Sequence, residues 1–560
     1  MLRNTLKYIV CIAGLTMFGC TKLNEKVLDE SSVTGLTDQQ LAEGIIAPVY
    51  NVLPDLYYHT RYFALQEIST DEAILPYRGG TDWGDNGIYL SMHRHETVST
   101  DPNVQATWTQ IVTGLSRSVT AISSLSTNKD ASAKLFLAEA RGMRAFYNLL
   151  SLDLFGIAFV KEDPNSTSKI VRGDTAVEYI KNELLAVEPT LVNTSGPGRI
   201  TQAAAQGLLA RLYLNAAVYR DRYATSFSFK QDDMTKAIEY CNKVIASNNY
   251  ALASEYFSIF GNDNHTNKEL IFAVDQRPDL SNSHNRMAYF SLSGDHYPLP
   301  AFPAANGTDG PAITPDFYDA WEAAYNGTDP ATVDPRFYKE NLPQTNGCVD
   351  AANFNINRGI LRGQQYGLTK DAGGNFIKCP DGKLQVSMLY NASRSKPTLP
   401  VNFVKQVDFT TAGSNYSTGY RVEKYEFSKS SNSGRNKGEA DIVILRLADI
   451  YLMRAEAKLR GANDAAGALA DVNIVRAART ATTPAPALTS MTLDLLIRER
   501  GFEFYWEMLR RTDMIRFGKY EGTWTEKNST DKNKRVFPIP QTAIDAASNL
   551  IGYLKQNQGY

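Results

Sequence analysis

The chain has 560 residues, 43% of them hydrophobic and 21% charged, the balance of an ordinary folded protein with room for several domains or one extended repeat unit. A net charge of -2 gives no electrostatic basis for holding nucleic acid or an anionic membrane surface. Aromatic residues reach 11%, with 30 Tyr, the residue favoured where a surface must be apolar and hydrogen-bonding together.

Arg3 and Lys7 precede an apolar run from Ile9 to Phe18, too short to span a bilayer and of the right length for a secretory signal core. The run ends Met17-Phe18-Gly19-Cys20, which resembles a bacterial lipoprotein box, with Met17 and Phe18 departing from its usual Leu and small residue. Residues 1–19 are therefore expected to be a signal peptide and Cys20 the acylated residue. The polar stretch 20–34 is expected to be a tether. Two or three acyl chains hold firmly, because each buried methylene contributes about 0.8 kcal/mol.

Thr37 to Leu56 has a helical pattern interrupted by Pro48 and Pro54. Residues 57–101 are irregular, mixing aromatics, glycines and acids. Helices are predicted at Gln105 to Leu125 and at Ala131 to Phe155, the second stopped by Gly156. Asp174 to Leu191 opens on a capping Asp174 and pairs with the preceding helix. Thr201 to Tyr219 and Met234 to Ala246 form a second pair. From Tyr250 to Glu439 the periodicity fades and Gly, Asn, Pro, Ser and Tyr dominate, with a short strand predicted at Lys268 to Val274. A structureless loop of that length is improbable on physical grounds, so short helices, hairpins and ordered loops resting on the helices are expected. Cys241 reads as a core thiol. Cys348 and Cys379 flank a loop-rich stretch and are either a disulfide or two free thiols.

Helix returns at Ile444. Leu445, Ala448, Leu452, Ala455 and Leu459 share one face, Asp464 caps a second helix carrying Leu469, Val472 and Val475, and Ala455 faces Ala468-Leu469 as in tetratricopeptide-type pairs. A third helix is dense in aromatics and arginines. The fold class predicted is mainly α: a tetratricopeptide-like helical-repeat scaffold (about 105–250 and 441–520) with a loop-rich subdomain (about 250–440, plus 57–101) of short helices and β-hairpins. All of it lies in one domain over 35–560.

Five stretches carry a resemblance to a family. They are AEARGMRAFYNLLSLDLFG at Ala138 to Gly156, RLADIYLMRAEA at Arg446 to Ala457, IRERGFEFYWEMLRRTDMIRFG at Ile497 to Gly518, FPIPQTAID at Phe537 to Asp545, and the terminal NQGY. With the lipoprotein signal, their order and spacing resemble the SusD/RagB family over nearly the whole chain. The resemblance implies an outer-membrane lipoprotein facing the cell exterior, without catalytic activity or cofactor. It implies that such a protein binds oligosaccharide and delivers it to a SusC-like TonB-dependent transporter. In the family the helical side packs on the transporter and ligand meets the loop-rich side. A surface glycosidase, or a lid for peptide or other non-sugar cargo, are the alternatives.

The first candidate for ligand contact is Pro76 to Leu90. There Trp83 stands among Gly79, Gly80, Gly84 and Gly87, with Asp82, Asp85 and Asn86 beside it and Tyr77 and Tyr89 to widen the platform. A sugar offers an apolar C–H face and a rim of hydroxyls, which this mixture suits. Covering roughly 100 Å² of sugar face gives about 2–3 kcal/mol, whereas even a millimolar complex needs about 4 kcal/mol, so a second contact region is required. Tyr297 in Asp295 to Phe302, and Tyr390 with Arg394 in Met388 to Arg394, are the candidates. Trp321 reads as core and Asp71 as a local cap or a hydroxyl acceptor. Glu499 and Glu503 stand four apart, as a glycosidase pair could, but Arg498, Arg500, Arg510 and Arg511 crowd the same tract and argue for ion pairing. His93 and His95 have no third ligand nearby. The chain has no cysteine pair at zinc spacing, no phosphate loop and no nucleophile elbow, so no metal is expected.

Overall fold

The computed structural model describes residues 36–76, 87–277, 285–296, 305–342, 347–409, 416–428 and 438–560. Residues 42–560 form one compact unit. Within the preceding unit, Thr37 and Gln40 cap each other reciprocally: Gln40 N donates to Thr37 Oγ1 (3.2 Å) and Thr37 N to Gln40 Oε1 (2.9 Å).

The long helices follow from local signals. Asp101 accepts from Asn103 N and Val104 N (2.8 and 3.0 Å) and Pro102 follows it, opening helix Pro102–Ser126. Helix Ala133–Phe155 ends on Gly156 at φ 68, a left-handed position that glycine takes without strain. These two helices lie close because Gly114 has no side chain: a Cβ there would sit 2.6 Å from the Tyr147 ring. Helices Gly173–Val187, Gln202–Arg220 and Gln231–Ala246 continue the stack. Asp174 is not the cap predicted for the first of these. Arg172 occupies that position, and Asp174 in the first turn pairs with Arg220 (2.6 Å).

The tract after Asp441 differs from its predicted form at its start. Ile442–Arg446 is a strand, paired antiparallel with Leu270–Val274, and the helix is Leu447–Ala457. All five residues of each strand are buried, so neither shows the alternation that marks a half-buried strand. Helix Gln202–Arg220 approaches this strand at Gly207, where a Cβ would lie 2.2 Å from Leu445. Farther on, Ala448, Leu452 and Ala455 pack with Ala468, Val472 and Val475 in one cluster that also takes in Leu496 and Phe504. Asp464 caps helix Ala465–Ala477 through Gly467 N (2.8 Å), and Leu493–Phe504 follows. Substituting Asp464 by alanine is expected to cost about 1 kcal/mol, read as a lowered urea midpoint with an unchanged slope.

The region between the helical tracts is ordered by a core of its own. Leu292, Phe354, Leu361, Val386, Leu389, Val401 and Phe403 form a cluster separate from the main one. Short antiparallel ribbons surround it. Arg358–Leu361 lies between Tyr338–Lys339 and Arg421–Glu423, and Leu384–Met388 lies between Tyr366–Leu368 and Cys348–Val349. Cys348 and Cys379 are joined in a disulfide across this ribbon, with Cα atoms 6.2 Å apart, and Cys241 is buried. The fold is mainly α, with helical pairs as scaffold and a loop-rich region of hairpins. Among the described residues no helix is long and apolar enough to cross a membrane.

Candidate ligand-binding site

Leu384 and Val386 point into the second core while Gln385 and Ser387 are half-buried. Beyond them Met388 and Tyr390 face outward on either side of buried Leu389, each 39% exposed. Half-buried Tyr366 stands across from Met388, and half-buried Pro400 across from Tyr390. The outcome is an outward-facing apolar strip.

The strip ends in a fixed turn. The register shifts between Tyr390 and Asn391, whose buried amide donates to the Leu399 and Pro400 carbonyls (3.1 Å each). A single 3₁₀ turn, Ala392–Arg394, closes on Ser395 at φ 58. Ser393 N and Oγ donate to the two oxygens of Asp295 (3.0 and 2.6 Å), tying this turn to the turn Gly294–His296. Arg394 Nε donates to buried Asp309 (2.9 Å) and its guanidinium lies 5.8 Å from the Tyr416 ring, while its side chain stays 28% exposed. The Lys396 ammonium lies 5.2 Å from the same ring. Burial raises the Asp295 carboxyl against the pull of the Ser393 bonds, with the Asp309 charge adding to the rise. Burial lowers His296 to about 4, so it is neutral at physiological pH. A flat apolar strip beside a held guanidinium and an ammonium offers one surface for C–H faces and another for hydroxyl oxygens.

Trp83, Tyr77, Asp82, Asn86, Tyr297 and Cys20 lie outside the described residues. Tyr89 is a correction: it sits in the helix Ile88–His93, 2% exposed, with its ring 6.3 Å from Phe290, so it belongs to the core and offers no platform. Phe290 accepts from Gly310 N, next to the Asp309 that holds Arg394, which brings the neighbourhoods of Tyr89, Asp295 and Arg394 together. Tyr366, Asp309, Lys396 and Tyr416 were not singled out by sequence, since only cross-strand pairing and contacts between distant turns place them here. Trp321 is wholly buried and stacked on Phe502 (3.7 Å), and Asp71 forms a two-bond pair with Arg510 (2.7 Å each). His93 and His95 are buried, with ring nitrogens bonded to carbonyl oxygens of Ile68, Ala73, Thr525 and Ser69.

Glu499 and Glu503 are ion-paired, but not to the arginines beside them. Glu499 accepts from Arg336 and Arg476 (2.7 and 2.6 Å), and Glu503 from Arg336, Arg446 and Arg479 (3.0, 2.7 and 2.7 Å). Arg500 binds Asp449 and Asp513, Arg510 binds Asp71 and Arg511 binds Asp153. Burial would raise the Glu503 carboxyl, but Arg479, Arg446 and Arg336 outweigh it and hold the group well below the usual carboxylate range. A glycosidase acid needs the opposite shift and access to substrate, so this pair is structural.

The SusD family model matches residues 268–560, more than half of the chain. The starch-binding protein SusD of Bacteroides thetaiotaomicron is 28% identical over 444 residues, 76% of this chain and 72% of that protein. Among solved structures, surface glycan-binding protein A from Bacteroides fluxus superposes with a TM-score of 0.64 at 19% identity, covering 93% of this chain and 99% of that one. Surface glycan-binding protein A from Bacteroides thetaiotaomicron in complex with laminarihexaose gives 0.62 at 20% identity, covering 92% and 99%. The family motifs quoted from the sequence, the helical pairs and these matches agree, and the chain belongs to the SusD family.

Proposed function

We propose that the protein is a non-catalytic, cell-surface lipoprotein of the outer membrane, anchored through Cys20. It binds oligosaccharide or polysaccharide on its loop-rich face and passes it to a SusC-like TonB-dependent transporter. The observation that carries this reading is the exposed Tyr390 strip beside the partly exposed Arg394, in a family whose relatives include a starch-binding protein and a laminarihexaose complex. The burial and arginine pairing of Glu499 and Glu503 support a role without catalysis.

The test is a glycan array probed with the purified full chain, followed by calorimetry on the glycans retained and analysis of the same mixtures for cleavage. Binding without product is expected; repeated turnover of glycan would make the protein an enzyme. A Tyr390→Ala, Arg394→Ala variant should weaken glycan binding by about tenfold to a hundredfold, since a stacked face contributes about 2–3 kcal/mol. Tyr390→Ala alone should keep a melting temperature close to wild type, because Tyr390 is exposed, whereas Arg394→Ala removes a bond to buried Asp309 and should lower it.

A further inference from the structure

A cleft of about 430 Å³ shares no lining residue with the strip. It opens between helix Pro315–Ala324, helix Leu493–Phe504 and the turn through Gly522 to Trp524. Its floor is apolar, built by Phe317, Ile497 and Phe502. The turn is pinned in place: Asp316 accepts from Thr525 N (2.9 Å) and Thr525 Oγ1 (2.5 Å), and the Lys527 ammonium sits 4.1 Å from the Trp524 ring.

The charges around the cleft are not equally satisfied. Arg510 is committed to Asp71, and Lys519 pairs with Asp494 (2.8 Å). Asp316 is bonded only by the neutral donors of Thr525 among the described residues. Arg498 lines the cleft, is half-buried and has no carboxylate at ion-pairing distance among the described residues. A carboxylate is the acceptor that a guanidinium fork binds best. Asp316 keeps acceptor capacity for hydroxyl donors. A ligand that completes the cleft therefore brings one carboxylate and several hydroxyls on a compact ring. A polyanion would meet Asp71, Asp316 and Asp494, a neutral sugar would leave Arg498 unsatisfied, and a peptide lacks the hydroxyls.

We propose that this cleft is a second glycan subsite selective for a uronic acid residue, with Arg498 binding its carboxylate and Asp316 accepting from its hydroxyls. The proposal rests on the glycan-binding reading above. Calorimetric titration of the full chain with digalacturonate, glucuronate, glucose and an acidic dipeptide tests it, on wild type, Arg498→Gln, Arg498→Lys and the Tyr390→Ala, Arg394→Ala variant. Uronates should bind wild type and lose about tenfold or more in Arg498→Gln, at an unchanged melting temperature, with partial recovery in Arg498→Lys. The Tyr390→Ala, Arg394→Ala variant should keep uronate binding. Equal uronate affinity in Arg498→Gln, no uronate binding by wild type, or glucose or the dipeptide binding as tightly would overturn the proposal. Unchanged array-glycan binding in the Tyr390→Ala, Arg394→Ala variant, with uronate binding intact and dependent on Arg498, would count against the strip alone.

Discussion

Substituting Glu503 by alanine is expected to lower the folding free energy by about 3–5 kcal/mol. The carboxylate is wholly buried and accepts from three arginines that come from different parts of the chain. Arg336 belongs to the loop-rich region, Arg446 ends the strand Ile442–Arg446, and Arg479 follows helix Ala465–Ala477. Arg446 and Arg479 also share Glu269, which immediately precedes the strand Leu270–Val274. Removing Glu503 strands positive charge on arginines that are themselves buried, whereas the pairing itself contributes little beyond its own desolvation cost. The cluster ties the loop-rich region to the helices that carry the family motif. Urea denaturation should therefore show loss of the loop-rich region's protection together with a lowered midpoint. A change below about 1 kcal/mol would mean the cluster is not the joint described here.

A second large effect concerns pH. Glu67 and Glu72 are both wholly buried, and accept from Met508 N and Trp506 N, residues held at φ 62 and φ 63. Burial and the neighbouring Glu72 raise the Glu67 carboxyl well above its ordinary value, and burial pushes Glu72 up to about 7. A raised carboxyl holds its proton more tightly in the folded state. The stability it contributes is full below the unfolded value of about 4.3 and is lost as pH rises through the folded value. Buried histidines work the other way: His59 and His296, lowered by burial to about 3 and about 4, contribute stability above about 6.5 that is lost as pH falls. The useful quantity is the difference between wild type and Glu72→Gln, in which the histidines cancel. Wild type should lose stability relative to Glu72→Gln between about pH 4.3 and 7. A pH-independent difference would show that Glu72 does not titrate in that window.

The helical scaffold was legible because its signals are local. Gly156 stops one helix, Asp464 caps another, and Ala455 and Ala468 meet as the pattern of small residues requires. The strand Ile442–Arg446 was not legible, because burial on both faces removes the period that separates strand from helix. The ion pairs of Glu499 and Glu503 were legible as a type and not as partners: Arg336 lies 163 residues before Glu499. By sequence Tyr89 widens the platform of the glycine-rich stretch around Trp83, yet the helix Ile88–His93 buries it near Phe290. At the ligand face, Tyr390 and Arg394 could be chosen by residue type. Asp309, Tyr416 and Tyr366 are recruited by pairings that no spacing encodes.

Glycan is expected to meet the loop-rich face. Hydrogen–deuterium exchange of the full chain with and without a glycan retained on the array tests it most directly. Protection should appear over 388–400 and 416–421 and leave the helices of 102–246 unchanged. Protection confined to those helices would contradict it.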